Sequence, residues 1–79
     1  MSGVKYKIYG NDRCHYCVQA KRLLIEVNLP YEWVNIDIHP EERASLKAKG
    51  FKTIPQIWLG ENLIGGYTDL VKFLHTGDS

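Results

Sequence analysis

The sequence predicts an α/β protein: a four-stranded mixed sheet with three helices, in the order β-α-β-α-β-β-α, forming one domain over residues 1–79. Three observations predict it. The apolar residues switch repeatedly between strand-like alternation and helical spacing. Glycine and proline punctuate most of the switches. The 79 residues, 44% of them hydrophobic, suffice for one thin core.

In Val4–Tyr9, apolar Val4, Tyr6 and Ile8 alternate with Lys5 and Lys7, the pattern of a strand with one wetter face. Gly10-Asn11-Asp12-Arg13 reads as a loop. From Cys14 to Asn28 the period is helical, with Ala20, Leu23, Leu24 and Val27 on one stripe and Asn28 and Pro30 closing it. Tyr31–Asp37, rich in aromatic and β-branched residues, reads as the second strand. Pro40-Glu41-Glu42 opens the second helix with proline in the first turn and acids at the positive end of the dipole. Lys47, Lys49 and Gly50 end it. Gln56–Leu59 and Asn62–Ile64 form a hairpin about Gly60-Glu61, and Leu70, Val71 and Leu74 mark a last helix from Tyr67. The first βαβ unit must be parallel and right-handed, and the hairpin antiparallel.

Ten basic and nine acidic residues leave a net charge of +1, which gives no electrostatic case for nucleic acid or an anionic membrane. The start, Met1-Ser2-Gly3-Val4-Lys5, resembles neither a signal peptide nor a myristoylation site, and no apolar run is long enough to span a bilayer. The expectation is a cytoplasmic protein. In that reducing compartment a close cysteine pair is more often catalytic or metal-binding than structural.

Both cysteines stand in Cys14-His15-Tyr16-Cys17, between the first strand and the first helix. Three residues apart on a helix, they face the same way and lie in bridging range, about 4.4–6.8 Å between Cα atoms. Cys17 continues the stripe through Ala20 and Leu24 and should be buried. Cys14 sits at the helix mouth, where unpaired amides and the dipole favour an anion. Cys14 is therefore the expected attacking thiolate and Cys17 the resolving thiol. Arg13 and His15 flank Cys14 with further positive charge. A zinc site needs four ligands, and His15, His39 and His75 show no zinc-ligand spacing, so no metal is expected.

Three segments, in order, resemble the glutaredoxin family: Cys14-His15-Tyr16-Cys17 followed by Ala20-Lys21, then Thr53-Ile54-Pro55-Gln56-Ile57, then Gly65-Gly66-Tyr67-Thr68-Asp69-Leu70. The resemblance implies a thioredoxin-like fold and a glutathione-dependent thiol–disulfide oxidoreductase with Cys14 and Cys17 as catalytic residues. It implies a cis bond before Pro55, turning the Ile54 backbone beside Thr53 toward the substrate's main chain. It implies that the amides of Tyr67, Thr68 and Asp69 receive the γ-glutamyl carboxylate of glutathione, that the Asp69 carboxylate pairs with its ammonium, and that Tyr16 packs beside it. Glutathione is the implied reductant. The implied partners are disulfide-bearing client proteins, with ribonucleotide reductase a candidate on resemblance alone, and the protein is expected to act as a monomer.

Two departures bear on this. His15 replaces the family's usual proline, freeing an amide N–H and adding a titratable ring, so a more oxidising couple is expected. Asn11 stands where many members carry Lys or Arg, so the glycine carboxylate of glutathione needs another cation, with Arg13 and Lys52 the candidates. Two further readings stay open. Gly50-Phe51-Lys52 before Thr53 is similar to the NrdH-redoxins, which draw electrons from thioredoxin reductase, although their Trp-Ser-Gly-Phe segment is absent. Loss of the motif proline also favours carriage of a [2Fe–2S] cluster between two chains. An interaction module with an inert cysteine pair is disfavoured by the helix-tip placement of Cys14.

Overall fold

The computed structural model describes residues 5–76. The expectations resting on Met1 to Val4 lie outside the described residues. The elements are β1 (Tyr6–Gly10), α1 (His15–Glu26), β2 (Tyr31–Asn35), α2 (Pro40–Ala48), β3 (Gln56–Leu59), β4 (Asn62–Gly65) and α3 (Tyr67–Thr76). They form one mixed sheet in the order β2-β1-β3-β4, with β1–β2 parallel and the other two pairs antiparallel. The thioredoxin-like α/β fold expected from the sequence is the fold found.

Alternation along β1 buries Tyr6, Ile8 and Gly10. Ile8 faces Trp33 on β2 and Ile57 on β3 across the sheet. On that face Ile8, Ile57, Ala20 and Leu24 of α1 and Leu70 of α3 form a core with no solvent exposure. Each large aliphatic side chain there contributes about 1.5–3 kcal/mol by leaving water. The opposite face carries Lys7 and Trp58, which pair across the sheet. There Phe51, just beyond α2, sets its ring edge-on to Trp58 at 6.1 Å.

Helix ends explain where the predicted boundaries moved. Cys14 is the N-cap of α1 and lies outside the helix proper. Asn28 takes a positive φ of 59°, and the amides of Asn28 and Leu29 return to the carbonyls of Ile25 and Leu24. This left-handed cap ends α1 two residues before the predicted end and leaves Val27 exposed, off the stripe. Gly50, at φ 90°, ends α2 the same way, with Gly50 and Phe51 returning to Lys47 and Leu46. β2 stops at Asn35 because the Asn35 Oδ1 accepts from the Asp37 amide at 2.9 Å and turns the chain.

The pairings set the position of the site. Tyr9 pairs with Gln56, and Ile57 with Gly65. The end of β1, the start of β3 and the end of β4 therefore meet at one edge of the sheet. The Cys14 loop, the Pro55 loop and the first turn of α3 converge there from three distant parts of the chain.

Candidate active site

Cys14 takes an extended backbone, φ −86° and ψ 114°, and its sulfur accepts from the Cys17 amide at 3.2 Å. Sulfur thus stands where serine or threonine oxygen commonly caps a helix. The thiol lies 3.8 Å from the Ile54 carbonyl and points toward it as a weak donor. Cys14 is half-buried and Cys17 wholly buried, and both are free thiols. Burial, aided by the hydrogen bond to Cys14, pushes the Cys17 thiol from 9.0 up to about 12, against lowering by the Asn11 backbone and Lys21.

Gly10, read from sequence as part of the loop, is the last residue of β1 and pairs with Asn35. A methyl group there would collide with Cys17 Sγ and come within 3.3 Å of Trp33 Cη2. The missing side chain is the space Cys17 occupies. The sequence signal was available: a glycine at a strand end, facing a cysteine-bearing helix, marks close approach.

The Ile54–Pro55 peptide is cis, as the resemblance implied. Gln56 is buried, and its amide donates to the Thr53 carbonyl at 2.8 Å and lies 3.4 Å from the Thr53 hydroxyl. It therefore braces the loop that presents Ile54 to Cys14. Gln56 belonged to the quoted motif, but nothing in its sequence position revealed this bracing.

Beside this loop, a cleft of about 220 Å³ is lined by Tyr16, Thr53, Ile54, Pro55, Gly66, Tyr67 and Thr68. Tyr16 stacks on Tyr67 with ring centroids 5.8 Å apart and planes 24° from parallel. Gly66 directly precedes α3, its carbonyl accepting from the Leu70 amide at 3.0 Å, so it stands at the N-cap and has no side chain to occupy the first-turn amides of that helix. Seven of the residues singled out from sequence thus come together: Cys14, Tyr16, Thr53, Ile54, Pro55, Tyr67 and Thr68.

Asp69 lies outside that cleft. Its carboxylate accepts from the Gly66 amide at 3.0 Å and borders a separate hollow of about 420 Å³ between β4 and α3, which contains neither cysteine. Arg13 is exposed, and its guanidinium pairs with Asp37 at 3.0 Å; Arg43 pairs with the same carboxylate. Lys52 is exposed next to Thr53 and is not part of the cleft wall. Asn11, where the family cation was missed, instead accepts from the Arg13 amide and shapes the loop. His15 is exposed, edge-on to Tyr16 and 3.4 Å from the Gln19 amide. Among the described residues no group of three or more His, Cys, Asp or Glu could hold a metal ion, and no helix is long and apolar enough to cross a membrane.

A family model described as Glutaredoxin matches residues 6–64. A glutaredoxin of Pseudomonas aeruginosa is 44% identical over 64 residues, covering 80% of this chain and 76% of the relative. The glutaredoxin-like protein NrdH of Salmonella typhimurium is 30% identical over 69 residues, covering 86% and 85%. The crystal structure of glutaredoxin 1 from Francisella tularensis, complexed with cacodylate, superposes with a TM-score of 0.76 at 28% identity, covering 94% and 95%. A dithiol at the tip of α1, the fold around it and these likenesses agree, and the chain belongs to the glutaredoxin family of thiol–disulfide oxidoreductases.

Proposed function

We propose that the protein is a glutathione-dependent reductant of protein disulfides and glutathione mixed disulfides, with Cys14 as nucleophile and Cys17 as resolving thiol. One observation carries this reading: the Cys14 sulfur caps α1 directly beneath the Ile54–Pro55 loop, beside a cleft walled by Tyr16 and Tyr67. The amide that donates to Cys14 is already in place, so a thiolate there needs little rearrangement.

In the first step the Cys14 thiolate attacks one sulfur of a disulfide. On a glutathione mixed disulfide, the new bond joins Cys14 to the glutathione sulfur, and the client leaves as a thiolate that takes up a proton. A second glutathione thiolate then displaces the first as glutathione disulfide and restores Cys14. On a protein disulfide, Cys14 stays bonded to the client until the Cys17 thiolate attacks Cys14 Sγ. That attack forms Cys14–Cys17, breaks the Cys14–client bond and releases the reduced client. Two glutathiones reduce the pair again, so two electrons pass in each cycle.

Open amides at the first turn of α3 suit the γ-glutamyl carboxylate of glutathione. In this reading Asp69 first orders that turn through Gly66 and then meets the glutathione ammonium. Arg13 reaches the glycine carboxylate only by leaving Asp37, so Lys52 is the better candidate cation. Disulfide-bearing proteins of the cytoplasm are the clients in this reading, ribonucleotide reductase being a candidate.

The likeness to NrdH favours one second reading, reduction by thioredoxin reductase. The test is NADPH-coupled reduction of a small glutathione mixed disulfide with glutathione and glutathione reductase, run beside thioredoxin reductase without glutathione. Turnover in the glutathione arm alone, abolished by Cys14→Ser, is expected. Turnover in the thioredoxin reductase arm alone would move the protein to the second reading.

A further inference from the structure

Cys17 must ionise to resolve a mixed disulfide, yet its side chain has no solvent exposure. Among the described residues, the cationic side chain that favours its ionisation is that of Lys21. Lys21 lies one helical turn beyond Cys17 on the same face of α1, the spacing at which side chains meet. Its ammonium sits 3.8 Å from the centre of the Trp33 ring on β2. The rim of that ring and the Cys17 sulfur both border the space left by the missing side chain of Gly10. Trp33 therefore holds the Lys21 charge against the apolar wall beside Cys17, where low dielectric strengthens its field. The titratable groups acting on Cys17 are Cys14, which opposes its ionisation, and Lys21, which favours it. β1 and β2 present Gly10 and Trp33 to it, both uncharged.

We propose that Lys21, perched on Trp33, is a positioning residue for the resolving step, stabilising the Cys17 thiolate as it forms to attack the mixed disulfide on Cys14. The proposal rests on the reading that Cys14 attacks and Cys17 resolves. The Cys17 proton goes to solvent, and Lys21 remains an ammonium throughout. The Cys17 thiolate then bonds to Cys14 Sγ, and the client sulfur leaves with the electron pair of the broken bond and is protonated. Removing the Lys21 charge is expected to lower the thiolate fraction of Cys17 by up to about tenfold. The more basic thiolate recovers about threefold in nucleophilicity, leaving a net loss of about threefold near neutral pH.

The test uses the full chain carrying thionitrobenzoate, a chromophoric thiol, as a mixed disulfide on Cys14, loaded in acid and jumped to neutral pH. Chromophore release reads the Cys17 attack directly. Lys21→Met keeps the length and apolar stem without the charge, and Lys21→Arg keeps the charge and the stacking. Release slowed about threefold in Lys21→Met and restored to the parent rate in Lys21→Arg supports the proposal. Parent-rate release from Lys21→Met, or Lys21→Arg as slow as Lys21→Met, overturns it, because charge then plays no part. A Cys17→Ser protein that releases the chromophore at the parent rate overturns instead the reading of Cys17 as resolving thiol.

Discussion

At Cys17 the helix stripe carries a thiol into the core, and burial raises it from 9.0 to about 12, while Cys14 three residues earlier is left half-open at the helix tip. In the fold the neutral Cys17 thiol is favoured over the thiolate. Its contribution to stability is therefore complete below about 9 and is lost as the pH rises toward about 12. Reduced protein should lose urea resistance across that window more steeply than Cys17→Ala, and equal pH dependence of the two would contradict the assignment. Alkylation near neutral pH should modify Cys14 and spare Cys17, as peptide mapping of the labelled protein will read. This asymmetry was legible in the sequence, because the stripe through Ala20 and Leu24 points at Cys17 and not at Cys14. The position of Arg13 was not legible, because its partner Asp37, from the turn after β2, is set by tertiary geometry. The Asp69 contact is local instead, a carboxylate accepting from the Gly66 amide three residues earlier at the start of α3.

Among the elements, the junction of β4 and α3 is the most demanding. Gly65 has a φ of +124°, and a Cβ there would strike the Asp69 carboxylate that holds the Gly66 amide. Gly65→Ala thus carries a backbone penalty of about 1–3 kcal/mol and dislodges the capping carboxylate. Lower urea resistance should accompany a raised KM for the glutathione mixed disulfide, with the Cys14 alkylation rate unchanged. An unchanged KM would show that the first turn of α3 takes no part in binding. Element order and type were readable from periodicity and from Gly50, Pro40 and the Gly60-Glu61 turn. The exact ends were not, because they depend on backbone returns such as Leu29 to Leu24 and Phe51 to Leu46. Those returns close only when the cap residue adopts a left-handed conformation, and at the end of α1 that residue is asparagine, a weaker signal than glycine.

Across the whole molecule, the candidate site is a product of strand pairing. The Cys14 loop, the Ile54–Pro55 loop and the Tyr67 turn are distant in sequence, and no one of them forms a cleft alone. Leu70 couples the third segment to the core: it is fully buried one turn into α3, packed with Ile8, Leu24 and Ile57. Leu70→Ala leaves a cavity and should cost about 2–5 kcal/mol, a large share of the roughly 5–15 kcal/mol that holds a small domain folded. Leu70→Val keeps the site measurable if the alanine variant unfolds. Either truncation loosens the seat of α3, and with it the Tyr67 ring that stacks on Tyr16. Cys14 is held by the Asn11 carbonyl, by the Cys17 amide and by the Ile54 loop, none of which Leu70 anchors alone. Calorimetry and coupled kinetics should therefore show a lower Tm and a raised KM for the mixed disulfide, with Cys14 alkylated at the parent rate. A fall in alkylation matching the loss of binding would mean that α3 supports the nucleophile itself, and that the three segments act as one unit.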